Sequence, residues 1–132
     1  MIPTRSDIAN YLKEVKAAIR RGHYRMEFNE KRQDNNRLFK KYVNDETQAK
    51  MILLSLKVED FSEVVDNRHK DYPDEKLYIF GKDVSLVERY SLSEIKKAVS
   101  LYIKFNKLEC PYVYVFVISF HEQKRALTYP FR

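Results

Sequence analysis

The chain has 132 residues, 25 of them basic and 19 acidic, for a formal charge of +6. That length builds one hydrophobic core rather than two, and the charge suits a polyanionic partner such as nucleic acid without requiring one. The single cysteine, Cys110, excludes an internal disulfide and a cysteine-rich metal site, and two glycines, Gly22 and Gly81, are too few for a glycine-rich phosphate loop. A single domain over 1–132 in a reducing, cytoplasmic setting is the expectation. No run approaches the roughly 18 apolar residues of a membrane span, and no secretory signal is expected at the N-terminus.

Thr4-Arg5-Ser6-Asp7 has the form of a capping box, and Ile8, Leu12, Val15 and Ile19 then recur at helical spacing up to Gly22. A first helix is predicted there, with Lys13, Lys16, Arg20 and Arg21 on its solvated face. Residues 23–28 read as a short strand. The polar run N-E-K-R-Q-D-N-N reads as a loop, and a short helix is expected over 37–43, capped by Asp34, Asn35 or Asn36. Asp45 caps the next helix, whose apolar stripe is Ala49, Ile52, Leu53 and Leu56. Residues 58–66 fit either a strand or a helical turn, and 67–75 form a charged loop carrying Arg68, His69 and Lys70. The run L-Y-I-F-G-K at 77–82 has strand character with Tyr78, Phe80 and Lys82 in phase, and Gly81 inside it signals a bulge or a close approach. Residues 91–97 read as a short helical insertion, and the proline-broken tail is expected to pack along an edge. Helices first and strands after predict an α+β domain, with N-terminal helices on one face of a mainly antiparallel sheet.

Residues 99–122 carry two alternating runs around E-C-P-Y, the pattern of a two-stranded antiparallel hairpin. Val99, Leu101, Ile103 and Phe105 form the core side of the first strand. The aromatic set Tyr112, Tyr114, Phe116, Ile118 and Phe120 is taken as the core side of the second. Tyr102, Lys104, Ser119 and His121 are then left together on the far side. Of the three histidines His121 has the best setting for proton transfer, because it ends a strand in reach of solvent. Lys104 and Lys82 are candidates to neutralise a phosphate oxygen, Arg68 and Lys70 to hold an RNA strand. Ser119 lacks a nucleophile elbow and is a substrate contact. The histidines at 23, 69 and 121 have no metal-ligand spacing, so no metal or other cofactor is expected. This combination fits RNA cleavage by the RNA's own 2′-hydroxyl, with the protein moving protons and stabilising phosphorane charge.

The ordered motifs V-E-D-F at 58–61, L-Y-I-F-G-K at 77–82, L-Y-I-K-F at 101–105 and V-I-S-F-H-E at 117–122 resemble the MqsR family of bacterial toxins. K-E-V-K at 13–16 and R-G-H-Y at 21–24 are similar to that family's opening. The resemblance implies an mRNA-cleaving endoribonuclease toxin of a type II toxin–antitoxin pair, on a fold similar to the RelE and ParE toxins. It implies a cognate antitoxin protein as partner and mRNA, on or off the ribosome, as substrate. The family's catalytic tyrosine and strand-terminal basic residue fall on Tyr102 and His121, while Lys82 and Lys104 match basic positions of the related motifs. Glu63 stands where relatives place a lysine, Ile79 where some have a glutamine, and residues 84–97 are longer than the turn expected there. The alternative from another class is a non-catalytic RNA-, ribosome- or protein-binding module on the same fold.

Overall fold

The computed structural model describes residues 2–28, 32–43, 45–68, 71, 74–89, 96–109 and 111–132. Helix α1 (Arg5–Arg20) opens on the predicted box: the Thr4 hydroxyl accepts from the Asp7 amide at 3.1 Å, and the Asp7 carboxylate accepts from the Thr4 amide at 2.8 Å. Ile8, Leu12, Val15 and Ile19 are buried, and Gly22 leaves the helix at φ 78°, a conformation open to glycine at little cost. Strand β1 (Tyr24–Met26) follows, then α2 (Gln33–Lys41), β2 (Tyr42–Val43) and α3 (Glu46–Leu54). The Asp45 carboxylate caps α3 by accepting from the Gln48 amide at 2.8 Å.

Helix α2 begins four residues before Arg37, so Gln33 to Asn36 are helical rather than part of the predicted loop. Asn35 is no cap; it is 1 % exposed, and its side chain reaches across to the sheet. Residues 58–66 contain both expected alternatives in succession, a 3-10 turn at Val58–Asp60 and strand β3 (Phe61–Asp66). Strands β4 (Lys76–Glu88) and β5 (Lys96–Leu108) are long, and β6 (Tyr114–Glu122) completes the sheet. Lys96 and Lys97 belong to β5, not to a helical insertion, and the rest of that prediction, 91–95, lies outside the described residues, as does Cys110.

The described strands run β1-β6-β5-β4-β2, with β3 also paired to β4. Only β1 and β6 are parallel, so the sheet is mixed but mainly antiparallel. Apolar side chains of α1, α2 and α3 meet one face of it, where Phe61, Phe80, Phe105 and Phe120 are all buried to 1 % or less. Phe80 sits edge-on to Phe61 and Phe105 at ring distances of 5.6 and 5.7 Å. Burying each such ring stabilises the fold by about 2–3 kcal/mol. The architecture is α+β, with helices packed against the sheet.

One strand reverses the sequence reading. In the first half of β6 the buried side chains are Val115 and Val117, while Tyr114 and Phe116 are only half-buried. Lys104 pairs with Ser119 and Phe105 with Val117, so Ile118 is an extra residue, a β-bulge. The bulge inverts the alternation: Val115 and Val117 face the core before it, Phe120 after it. Asn35 occupies this spot, donating to the Ile118 carbonyl at 2.9 Å and accepting from the Phe120 amide at 2.8 Å. Its amide also donates to the Glu27 carbonyl at 2.8 Å, so one side chain takes the place of a neighbouring strand where β1 has ended.

Candidate active site

Strands β5 and β6 place Tyr102 directly opposite His121, and Lys104 opposite Ser119, on the face away from the buried phenylalanines. The two rings stack, with centroids 5.1 Å apart and planes 12° from parallel. His121 Nδ1 lies 2.8 Å from the Glu122 carbonyl oxygen, which can only accept. Nδ1 therefore donates there, and in the neutral imidazole Nε2 is the nitrogen left to accept a substrate proton. Burial, and then the Glu63 carboxylate, push the Tyr102 phenol above its ordinary range, so it holds its proton and donates.

Lys104 has its ammonium 5.9 Å from the centre of the Tyr102 ring. Burial pulls its pKa down, and the Arg32 and Arg68 cations pull it further. No described carboxylate lies within ion-pair distance of it. Ser119 is 4 % exposed and forms part of the cleft floor. The cleft measures about 590 Å³ and is also lined by Ser62 and Glu63 of β3 and by Lys124 to Thr128 of the tail.

The tail first crosses this face at Gly81, and its end then reaches an edge, as the sequence reading had it, where Phe131 packs against Phe61 of β3 with ring centroids 5.8 Å apart. A side chain in place of Gly81 would meet Leu127 Cδ1 at 2.8 Å and collide with the Tyr129 hydroxyl. Glycine is needed for this close approach, and what approaches is the chain's own C-terminus. Gln123 fastens the crossing by donating to the Leu101 carbonyl at 3.0 Å and to the Tyr129 hydroxyl at 3.2 Å.

Not every predicted residue arrives. Lys82 pairs with Leu101, which points into the core, and so lies on the opposite face from Tyr102 and His121. Its ammonium sits 3.6 Å from the Asp60 carboxylate and 3.5 Å from the Ser55 carbonyl. Its phase with the buried Phe80 was the signal for that side, and Lys82 is withdrawn as a candidate catalytic residue. Arg68 acts on Lys104 through its charge without lining the cleft. Lys70 and His69 lie outside the described residues.

Sequence reasoning missed Arg32, Lys124 and Arg125, three cations on the cleft wall. Lys124 and Arg125 adjoin His121 in the sequence, a basic pair that could have been noticed, whereas Arg32 sat in a run read as loop. Lys124 bonds Asp34 of α2 at 2.7 Å and holds that carboxyl below its usual range, with the Arg37 charge adding to the effect. Asn35 was missed as the residue that holds the bulge. A larger cleft, about 680 Å³, lies on the helix side between α1 and β3–β4. Its two lysines, Lys76 and Lys107, are matched by Asp66 and Glu14, so it lacks the excess of cations that lines the first. Among the described residues no group of three His, Cys, Asp or Glu side chains is placed to hold a metal ion.

Set against models of known protein families, curated proteins and solved structures, the chain matches none. Among the described residues no helix is long and apolar enough to cross a membrane.

Proposed function

We propose that this protein is a metal-independent endoribonuclease that cleaves mRNA, a toxin of the type II toxin–antitoxin kind related to MqsR, with a RelE/ParE-like fold and a cytoplasmic site of action. The observation that carries the reading is the stack of Tyr102 on His121 beside Lys104 in a cleft walled by further cations. His121 Nε2 takes the proton of the RNA 2′-hydroxyl as that oxygen attacks the adjoining phosphorus. Tyr102 donates to a non-bridging oxygen, and Lys104 neutralises the charge growing on the phosphorane. The bond from phosphorus to the 5′-oxygen breaks, and the leaving oxygen takes a proton from water at the open mouth of the cleft. The products are a cyclic phosphate and a 5′-hydroxyl. Arg32, Lys124, Arg125 and Arg68 would hold the flanking phosphates, and Ser119 the floor of the subsite.

One observation favours a binding module without catalysis: the Glu63 carboxylate lines the cleft and is close enough to act on the Tyr102 phenol, where it repels a phosphate. Product analysis separates the two. Wild-type protein with a defined RNA is expected to yield cyclic phosphate ends, and His121→Ala to lower their rate of formation by about a hundred- to ten-thousandfold with its melting temperature kept. An unchanged rate in that variant rejects the assignment of the base.

A further inference from the structure

The bulge at Ile118 leaves an aromatic surface that the cleft chemistry does not use. Tyr114 and Phe116 stand half-exposed on the same face as Tyr102 and Lys104, their ring centroids 5.2 Å apart and their planes 54° from parallel. Phe116 lies opposite Asn106, one pleat along β5 from Lys104, a step of about 7 Å. On the other side of β6, Arg25 is in register with Phe116, is exposed, and forms no ion pair among the described residues. Beyond them Tyr112, 52 % exposed, rests on His23 with ring centroids 4.5 Å apart. The helices bury their apolar side chains on the opposite face, where Val115 and Val117 are.

We infer that Tyr114 and Phe116, with Arg25 beside them, form a nucleobase-stacking platform that carries the single-stranded RNA running out of the cleft. The inference rests on the preceding reading only for RNA as the ligand. Two arguments choose this occupant. The platform is continuous with the cleft, through the Lys104–Ser119 and Asn106–Phe116 pairs. Its charge is also right: flat apolar rings edged by Arg25, and by the cations around Lys104, match bases strung on phosphates. A duplex keeps its bases paired and stacked on one another, so the ligand must be single-stranded.

Fluorescence anisotropy at one fixed salt concentration tests this, using a labelled 2′-O-methyl oligonucleotide that cannot be cleaved and an abasic oligomer of equal length and charge. Wild type should bind the base-bearing oligomer more tightly. Tyr114→Ala and Phe116→Ala should each cut that preference about tenfold while leaving abasic affinity unchanged. Phe116→Leu, which keeps an apolar side chain of similar reach and loses the π face, should behave like Phe116→Ala. Lys104→Ala should weaken both oligomers alike. Equal binding of the two oligomers by wild type, or a preference that survives in the Tyr114→Ala/Phe116→Ala double variant, overturns the platform and leaves that surface to a protein partner. Because the probe is uncleavable, the platform stands if His121→Ala leaves cleavage unchanged, and falls without deciding whether His121 is a base.

Discussion

Lys82 and Lys104 sit on adjacent strands of one sheet and are treated oppositely by it. Lys82 faces the helices, where Asp60 lies 3.6 Å away and shares its charge with Arg132 at 3.7 Å. Lys104 faces the cleft, with Arg32 and Arg68 as its electrostatic neighbours and burial disfavouring its charge. A lysine given a carboxylate is holding the fold together. One surrounded by other cations is held in a state that an incoming anion relieves. The same residue type, one strand over, thus marks structure on one face and a ligand on the other.

The largest effect expected within this comparison separates the two lysines. Lys104→Ala should slow RNA cleavage by about a hundred- to thousandfold with the melting temperature near wild type. Lys82→Ala should leave the rate within about twofold and lower stability by roughly 1–2 kcal/mol, because the nearly buried Asp60 loses a partner. Equal losses of activity in the two variants would abolish the distinction between the faces.

A second experiment addresses what holds the cleft face in position. Asn35→Ala leaves the Ile118 and Glu27 carbonyls and the Phe120 amide without their partner. The expected cost is about 3 kcal/mol in a denaturant titration. Cleavage should fall about tenfold even well below the melting temperature, since the bulge sets the side of the sheet on which His121 emerges. A stability loss with the rate unchanged would show that the bulge holds its form without the amide.

The smallest effect is a shift in pH dependence. Burial, and then the positive neighbours Arg32 and Arg68, disfavour the protonated form of Lys104, so it gives up its proton at lower pH than an ordinary lysine, and phosphate binding fails there. Removing one of them with Arg68→Ala should raise that pKa and move the alkaline limb of the pH–rate profile upward. The acid limb should stay in place. A downward shift, or none, would mean that Arg68 does not lower the Lys104 pKa.

How much of this could be read beforehand differs from strand to strand. Along β5 the alternation is uninterrupted, and Leu101, Ile103 and Phe105 are in the core with Tyr102 and Lys104 opposite, as the pattern predicts. Along β6 the assumption that aromatics mark the core inverted Tyr114 and Phe116, yet Ser119 and His121 emerge on the expected side because they follow the bulge. For Lys82, phase with Phe80 pointed to the core, and the attraction of another cation in the cleft outweighed it. The basic wall of Arg32, Lys124 and Arg125 had no spacing signal, since its members come from the start of α2 and from the tail.

The amino-acid sequence by itself determined α1, α3 and the facing of β5, because caps and periodicities act over a few residues and need no distant partner. Only the tertiary structure decided which residues share the cleft. The facing of β6 turns on one extra residue, and the side chain that satisfies it, Asn35, is 83 positions from Ile118. Local pattern carries no information about such a contact; the need to satisfy buried peptide groups does.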